Sequence, residues 1–301
     1  MIRYLVAGVK QAFGLHRPGR KLPVRPDDIL LASYPKSGNT WMRFLIANLR
    51  HPDREVGYGN LHQLVPDFDV SVKRDFDRAP RPRIIKTHGS FDPRYRRVIY
   101  VVRDPRDVAL SQYDGLRDAG RNGDRVRVED FVARFLAGGD AASRVSTDNL
   151  GSWGENVGSW LATRSRHSGF LLLRYEDLLE RTACELTRVA DFAGLPTTPE
   201  RISQAVERSS GDKMRMTAKS AGWRSDFPEP QVARMEDAWG DIMAFLGYEL
   251  VTRDPRSALK SSLIGLLAAG TVGSAGECRE EVFADDTPSM PGSLPKPATI
   301  R

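Results

Sequence analysis

Short apolar runs alternate with longer amphipathic stretches along most of this 301-residue chain. Four of the runs, at residues 29–33, 83–87, 98–102 and 170–174, have the length and apolar content of parallel strands that are buried on both faces. Helical periodicity predicts helices at residues 41–49, 105–116, 128–136, 156–163 and 183–193. Strands that alternate with helices predict a three-layer α/β fold, in which a central parallel sheet is flanked by helices.

The first strand ends in a polar turn that leads directly into the first helix. A helix N-terminus attracts anions, because its first N–H groups have no partner inside the helix and the helix dipole places partial positive charge there. A lysine, hydroxyl groups and a glycine that admits close approach of a ligand strengthen such a site. The sequence therefore predicts a P-loop-like phosphate or sulfate site at Lys36, Ser37, Gly38, Asn39, Thr40 and Trp41.

The residue order in this turn differs from that of a Walker A loop. The Walker pattern places its lysine after the second of two glycines, whereas Lys36 precedes the one glycine of the turn, Gly38. A nucleotide kinase or another phosphotransferase would also need Mg²⁺ ligands. Asp104, after the third strand, is the one candidate for such a ligand, so phosphotransfer is the weaker alternative.

Polar residues also follow the second and third strands. His88 comes directly after the second strand, Arg103 ends the third, and Ser111 lies two turns into the next helix. Because open α/β sheets bind ligands at the carboxyl ends of their strands, Arg103 and Ser111 could bind one phosphate there. Two simpler alternatives remain open. Arg103 could pair with Asp104 or Asp107, and an isolated histidine after a strand is more often structural than catalytic.

Three of these segments resemble the motifs of the sulfotransferases that use 3′-phosphoadenosine 5′-phosphosulfate. The turn at residues 34–41, Tyr-Pro-Lys-Ser-Gly-Asn-Thr-Trp, resembles the 5′-phosphosulfate loop of that family. The spacing of Arg103 and Ser111 matches its 3′-phosphate motif, and the triplet that ends in His88 resembles its catalytic segment. The resemblance covers about residues 28–249 and implies the fold and the nucleotide of that family.

The resemblance gives His88 the role of general base. Attack of a hydroxyl or an amine on sulfur requires the loss of a proton, and an unperturbed imidazole titrates near pH 6.5. Lys36 and Lys86 can stabilise negative charge on the transferred sulfuryl group and on the leaving phosphate. The implied reaction moves the sulfuryl group to an acceptor hydroxyl or amine, releases adenosine 3′,5′-bisphosphate and needs no metal.

The resemblance also implies that several segments of the chain bind different parts of the nucleotide. The turn holds the 5′-phosphosulfate, chiefly through Lys36, Thr40 and the backbone amides, and Arg103 with Ser111 holds the 3′-phosphate. Tyr175, which follows the fourth strand, corresponds to a tyrosine that lies against the adenine.

Between residues 206 and 223 the chain departs from the family pattern. Ser209 lies in a segment that resembles the adenine side of the site, but Gly211 stands where an aromatic residue is usual. The Arg-Lys-Gly triplet that clamps the 3′-phosphate is not evident. Lys219 or Arg215 could replace it, and the sequence leaves that choice open. We therefore expect Ser209 to bind the nucleotide and make no assignment for the clamp.

Composition narrows the classes of function. The chain has 45 Lys and Arg against 39 Asp and Glu, a net charge of +6, which suits anionic ligands. The basic residues are dispersed and match no nucleic-acid-binding motif, so we expect no nucleic-acid partner. Two cysteines, Cys184 and Cys278, are too few for a disulfide framework or a cysteine-rich zinc site. Their number fits a cytoplasmic location.

The chain divides into three predicted regions. Residues 1–25 are basic and could form an amphipathic helix with weak contact to a membrane surface. Residues 26–252 form the sulfotransferase domain, and residues 253–301 a largely disordered tail rich in proline, serine and charge. The apolar stretch at residues 263–275 is shorter than the ~20 residues needed to span a bilayer.

The sequence leaves the acceptor and the oligomeric state open. Small-molecule, glycan and lipid-linked acceptors are all compatible with it, and the basic N-terminal segment favours a lipid-linked acceptor weakly. A degenerate nucleotide-binding or scaffold protein is the alternative outside enzymes, because the loop at residues 206–223 is altered. Such a protein would bind adenosine 3′,5′-bisphosphate without any turnover that depends on His88.

Overall fold

A parallel sheet lies at the centre of the computed structural model, which describes residues 24–118, 126–139, 150–209 and 222–253. Its strands are β1 Ile29–Ser33, β2 Ile84–Thr87, β3 Arg97–Val102 and β4 Phe170–Arg174, in the order β2-β1-β3-β4. The predicted α/β fold and its strands are confirmed, with starts that differ by at most one residue. Nearly all of the predicted N-terminal segment and C-terminal tail lies outside the described residues.

Helices connect and cover the strands. They are α1 Asn39–Arg50, α2 Leu61–Leu64, α3 Lys73–Arg78, α4 Pro105–Asp118, α5 Val128–Leu136, α6 Trp153–Arg164, α7 Tyr175–Glu180, α8 Thr182–Ala193, α9 Pro199–Arg208, α10 Trp223–Asp226 and α11 Glu229–Phe245. The five predicted helices are α1, α4, α5, α6 and α8. Helix α6 begins three residues before its predicted start, because the Ser152 hydroxyl accepts a hydrogen bond from the Glu155 N–H and the Glu155 carboxylate accepts one from the Ser152 N–H.

The two faces of the sheet bury separate hydrophobic clusters. Successive residues of β1, such as Leu30 and Leu31, point to opposite faces and are fully buried. One cluster joins the sheet to α4, α5, α6 and α11. The other joins it to α1, α2, α7, α8 and α9. Burial on both faces explains why the strands are continuous apolar runs. No helix within the described ranges is long and apolar enough to cross a membrane.

The register of the sheet brings the strand ends together. Ala32 lies opposite Thr87 of β2, Ser33 lies opposite Val101 of β3, and Val102 lies opposite Arg174 of β4. The residues that follow each strand therefore emerge at one edge of the sheet. This edge is the carboxyl edge at which such folds bind ligands.

A buried ion cluster fastens the tip of β3 to the C-terminal helix α11. The Arg106 guanidinium, which is 1% exposed, donates to Asp104 at 2.7 Å and to Glu236 at 2.6 Å. Glu236 also accepts hydrogen bonds from the N–H groups of Val251 and Thr252 at 3.0 and 2.8 Å. The cluster thus fixes both the β3 tip and the segment after α11.

Replacing Arg106 by methionine should destabilise the fold strongly, because it leaves the buried Glu236 carboxylate without its cation. We expect the free energy of unfolding to fall by about 3–5 kcal/mol, measured by urea denaturation. Arg224→Met is the matched control. The Arg224–Glu249 pair is exposed at 47% and 70%, so its loss should cost at most about 1 kcal/mol. Equal losses in the two variants would contradict the structural role of the buried cluster.

Candidate active site

The turn between β1 and α1, residues 34–41, has a backbone geometry that suits an anion, and we call it the cradle. Two residues of the turn have left-handed backbone, Lys36 at φ 70° and Gly38 at φ 90°. Gly38 is the N-cap of α1, and no side chain caps this helix. The first N–H groups of a twelve-residue helix are therefore directed out of its N-terminus toward whatever anion the turn encloses.

Side chains of the turn differ in their surroundings. Lys36 and Thr40 are exposed. Ser37 is fully buried, and its hydroxyl makes no hydrogen bond with any part of the chain that the structure describes. The Asn39 amide donates to the Leu31 carbonyl at 3.2 Å and to the Ser33 hydroxyl at 3.0 Å. The Asn39 side chain thus braces the turn against β1, and its backbone belongs to the helix start.

Arg103, at the tip of β3, is tied to the same turn. Its guanidinium donates to the Lys36 carbonyl at 3.0 Å and lies 4.5 Å from the centre of the Tyr175 ring. Its own carbonyl accepts a hydrogen bond from the Trp153 indole at 3.2 Å. Of its two alternative partners, Asp104 pairs with Arg106, and the Asp107 carboxylate accepts a hydrogen bond from the Trp223 N–H at 3.4 Å. Arg103 therefore stands beside the cradle.

His88, at the tip of β2, is held by the residue that ends β1. Its Nδ1 lies 2.7 Å from the Ser33 carbonyl oxygen. Because a carbonyl can only accept, Nδ1 carries the proton and Nε2 carries the lone pair. The histidine is 8% exposed. Burial, with the nearby charge of Lys86, lowers the pKa of His88 to about 3, so the imidazole is neutral at physiological pH.

Lys86 forms a buried ion pair beside His88 that the sequence did not reveal. Its ammonium donates to Asp67 at 2.8 Å, and the Arg43 guanidinium lies 3.9 Å from the same carboxylate oxygen. Burial opposes ionisation of Asp67, but the charges of Lys86 and Arg43 outweigh it and lower the pKa of Asp67 to about 2. The pair arises because the chain at Asp67 bridges to Lys86 at the edge of β2. No motif in the sequence marks that contact.

The remaining predicted residues lie at different distances from the turn. Tyr175 and the half-buried Trp41 make an edge-to-face contact beside Gly38. Ser111 is half-buried on α4. The Ser209 hydroxyl accepts a hydrogen bond from the Asn48 side chain at 3.0 Å. Asn48 lies nine residues after the start of α1, which is roughly 13 Å along the helix.

The structure therefore gathers Lys36, His88 and Arg103 around the turn and places Ser209 toward the far end of α1. Gly211, Arg215 and Lys219 lie outside the described residues. Asp67 and Ser33, which hold Lys86 and His88, are the site residues that sequence analysis missed.

The neutral, buried imidazole makes stability depend on pH. The unfolded chain has a His88 pKa of about 6.5, whereas the folded pKa is about 3. The unfolded state therefore binds more protons between these values, and stability falls as the pH falls. Between about pH 5.5 and pH 4 we expect the wild-type free energy of unfolding to fall more steeply than that of His88→Gln, by roughly 1.4 kcal/mol per pH unit. Parallel slopes in urea denaturation would contradict the buried neutral state.

Sequence comparison with known proteins finds matches within one family. The sulfotransferase domain matches residues 26–227. Sulfotransferase 1A1 of Mus musculus is 30% identical over an alignment of 205 positions, which covers 63% of this chain and 67% of that relative.

Solved structures share the fold. Mouse sulfotransferase SULT7A1 complexed with PAP matches with a TM-score of 0.57 at 21% identity, covering 83% of this chain and 91% of that one. Retinol dehydratase in complex with retinol and PAP matches with a TM-score of 0.55 at 20% identity, covering 80% and 85%. The domain match and the 30% identical relative show that this chain belongs to the sulfotransferase family.

Proposed function

We propose that this sulfotransferase moves the sulfuryl group of 3′-phosphoadenosine 5′-phosphosulfate to an acceptor hydroxyl, with His88 as general base. One observation carries the proposal: His88 and Arg103, from different strand tips, hydrogen-bond to carbonyls of the chain that leads into α1. The base and a phosphate-binding cation thus flank one anion cradle. Two proteins of this fold bind PAP, the desulfated form of that nucleotide, which supports the choice of donor.

The residues at the turn fit a nucleotide with two anionic groups, a 5′-phosphosulfate and a 3′-phosphate. The uncapped start of α1 offers N–H donors for the 5′-phosphosulfate, and the exposed Lys36 and Thr40 add a cation and a hydroxyl. The buried Ser37 hydroxyl, which has no described partner, is a further donor toward this group. We assign the 3′-phosphate to Arg103 with Ser111, since a guanidinium binds phosphate through a charge-assisted fork.

His88 would take the acceptor proton at Nε2, because Nδ1 already donates to Ser33. The acceptor O–H bond breaks as its oxygen forms a bond to sulfur. The bond between sulfur and the 5′-phosphate oxygen breaks, and its electron pair leaves with adenosine 3′,5′-bisphosphate. The protein supplies position and charge and forms no covalent bond to the substrate.

The two lysines would act from different positions. Lys36 is exposed at the cradle, where its charge can stabilise the leaving phosphate. Lys86 is held by its ion pair with Asp67, so its charge has a fixed position beside His88. The Asp67 carboxylate largely balances that charge. We therefore propose Lys36 as the main cation for the leaving group and Lys86 as a contributor to the field at His88.

A phosphotransferase is a poor fit to the structure. Asp104, the predicted Mg²⁺ candidate, binds Arg106 through both carboxylate oxygens, at 3.0 and 2.7 Å. Ligation of a cation by Asp104 would have to break that buried pair.

For the acceptor we propose a small hydroxyl compound; the neighbour that binds retinol, an alcohol, together with PAP supports this class.

His88→Ala should separate binding from turnover. Loss of a positioned base should slow transfer by about 10²–10⁴-fold, while the affinity for adenosine 3′,5′-bisphosphate stays within about twofold. Transfer from radiolabelled donor to a panel of alcohols and phenols, with calorimetry for the bisphosphate, measures both quantities. His167→Ala is the control, because His167 is an exposed histidine. Near-normal turnover in His88→Ala would overturn the base assignment, and bisphosphate binding without turnover in the wild type would favour the non-catalytic binder.

Lys36→Ala and Arg103→Ala should both weaken bisphosphate binding. A hydrogen bond to a charged group is worth about 1.5–3 kcal/mol, so we expect each loss to be about 10- to 100-fold by calorimetry. Arg94→Ala is the control, because the Arg94 side chain is 60% exposed and pairs with Asp92. Unchanged affinity in both site variants would place the nucleotide elsewhere on the protein.

A further inference from the structure

Asp67 lies opposite Lys86 because its segment pairs with the edge of β2. The Lys86 N–H donates to the Pro66 carbonyl, and the Phe68 N–H donates to the Lys86 carbonyl, each at 2.8 Å. One oxygen of the Asp67 carboxylate accepts from the Lys86 ammonium at 2.8 Å, and the other accepts from the Asp69 N–H at 3.0 Å. Asp67 is 3% exposed. Its negative charge therefore has a fixed position inside the protein.

Two buried cations lie beside this carboxylate. The side chains of Lys86 and Arg43 are 11% and 5% exposed, and both reach the same oxygen of Asp67, at 2.8 and 3.9 Å. Burial and the charge of Lys86 lower the pKa of His88, and the charge of Arg43 lowers it further. The hydrogen bond to Ser33 and the charge of Asp67 raise the pKa of His88. Asp67 thus offsets part of the effect of both cations on the proposed base.

The hydrogen-bond partners of the His88 ring carry no charge. Nδ1 lies 2.7 Å from the Ser33 carbonyl oxygen and 3.4 Å from the Ser33 hydroxyl. Among the residues that the structure describes, these two groups are the partners of the ring. When Nε2 takes the acceptor proton, the ring becomes an imidazolium, and a charge formed in a buried site is costly unless an opposite charge lies close by. That opposite charge has to come from beyond the ring's own hydrogen bonds.

We infer that Asp67 is a positioning residue for the transfer step: its carboxylate holds Lys86 and provides the negative charge that stabilises the imidazolium formed at His88. Asp67 touches no substrate in this role. The inference rests on the proposed function, in which His88 is the base. It also fixes a sign, because removal of the carboxylate should weaken the base and removal of a neighbouring cation should strengthen it.

Asp67→Asn removes the carboxylate charge at nearly constant size. We expect transfer to slow about 10- to 100-fold, while the affinity for adenosine 3′,5′-bisphosphate stays within about twofold. Transfer from radiolabelled donor and calorimetry measure the two quantities on the full chain. Asp77→Asn is the matched control, because Asp77 pairs with Lys73 at 2.7 Å on the surface. It should leave turnover within about twofold.

Arg43→Gln changes the charge of the same cluster in the opposite sense. It removes a cation and keeps a side-chain donor for the Val65 carbonyl, which the Arg43 guanidinium binds at 2.6 and 3.2 Å. The base should become stronger, so we expect a rate between that of the wild type and about tenfold above it. A purely structural role for the cluster would slow both variants.

The acidity of the acceptor reports the strength of the base. An acidic acceptor loses its proton with less help, so a weaker base slows a weakly acidic acceptor more than an acidic one. Two acceptors that the wild type uses and that differ in acidity, such as phenol and para-nitrophenol, provide the comparison. Asp67→Asn should slow the less acidic acceptor at least about threefold more than the other. Arg43→Gln should reduce the wild-type difference between the two acceptors.

Each outcome decides the inference. Opposite changes in the two variants, with the expected dependence on acceptor acidity, support it. Equal slowing of both acceptors in Asp67→Asn, slowing in both variants, or normal turnover in Asp67→Asn overturns it. If Asp67→Asn does not fold, as judged by its thermal transition, Arg43→Gln decides alone.

His88→Ala distinguishes this inference from the proposed function. Near-normal turnover in His88→Ala means that the proposed base is wrong, and the inference fails with it. If His88→Ala loses turnover while Asp67→Asn keeps it, the proposed function stands and the role of Asp67 alone is refuted.

Discussion

The backbone of the turn between β1 and α1 is the constraint on which the site depends. Its N–H groups point out of the helix start, and the carbonyls of Ser33 and Lys36 accept hydrogen bonds from His88 and Arg103. The left-handed conformations of Lys36 and Gly38 make this division possible. The same short segment thus offers donors to a ligand and acceptors to the protein. A shift of the turn would move His88 and Arg103 together.

The charged side chains at this edge of the sheet differ in how deeply they are buried. The buried cations Lys86 and Arg106 are paired with carboxylates, whereas the buried Arg103 donates to the Lys36 carbonyl. Lys36 lies at the surface. A neutral His88 completes the pattern, since burial and the charge of Lys86 lower its pKa. The positive charge that faces an anion therefore comes chiefly from the cradle, and His88, the proposed base, is uncharged.

Much of the fold could be predicted from the sequence because its strands and helices follow from local residue patterns. Strands buried on both faces appear as apolar runs, and Gly194 ends α8 in the left-handed conformation that its position predicts. Helix α9 was missed although Thr198 and Pro199 form a standard start, a cap followed by proline at the first position.

The sequence predicts the positions of those site residues that directly follow the ends of strands. His88 and Arg103 could be placed at one edge because parallel strands share their direction. Asp67 could not be placed there, since it reaches Lys86 by a loop that bridges to β2, with no periodicity to mark it. The packing of Tyr175 on Gly38 and Arg103 likewise depends on tertiary register, which the sequence does not display.

A crystal structure of the chain with adenosine 3′,5′-bisphosphate tests the central claim most directly. We predict the 5′-phosphate at the N–H groups that open α1 and the 3′-phosphate at the Arg103 guanidinium, each within about 3 Å of its donors. Nε2 of His88 would face the open side of the 5′-phosphate. A nucleotide bound away from this turn, or one whose 5′-phosphate leaves the start of α1 untouched, would contradict the account.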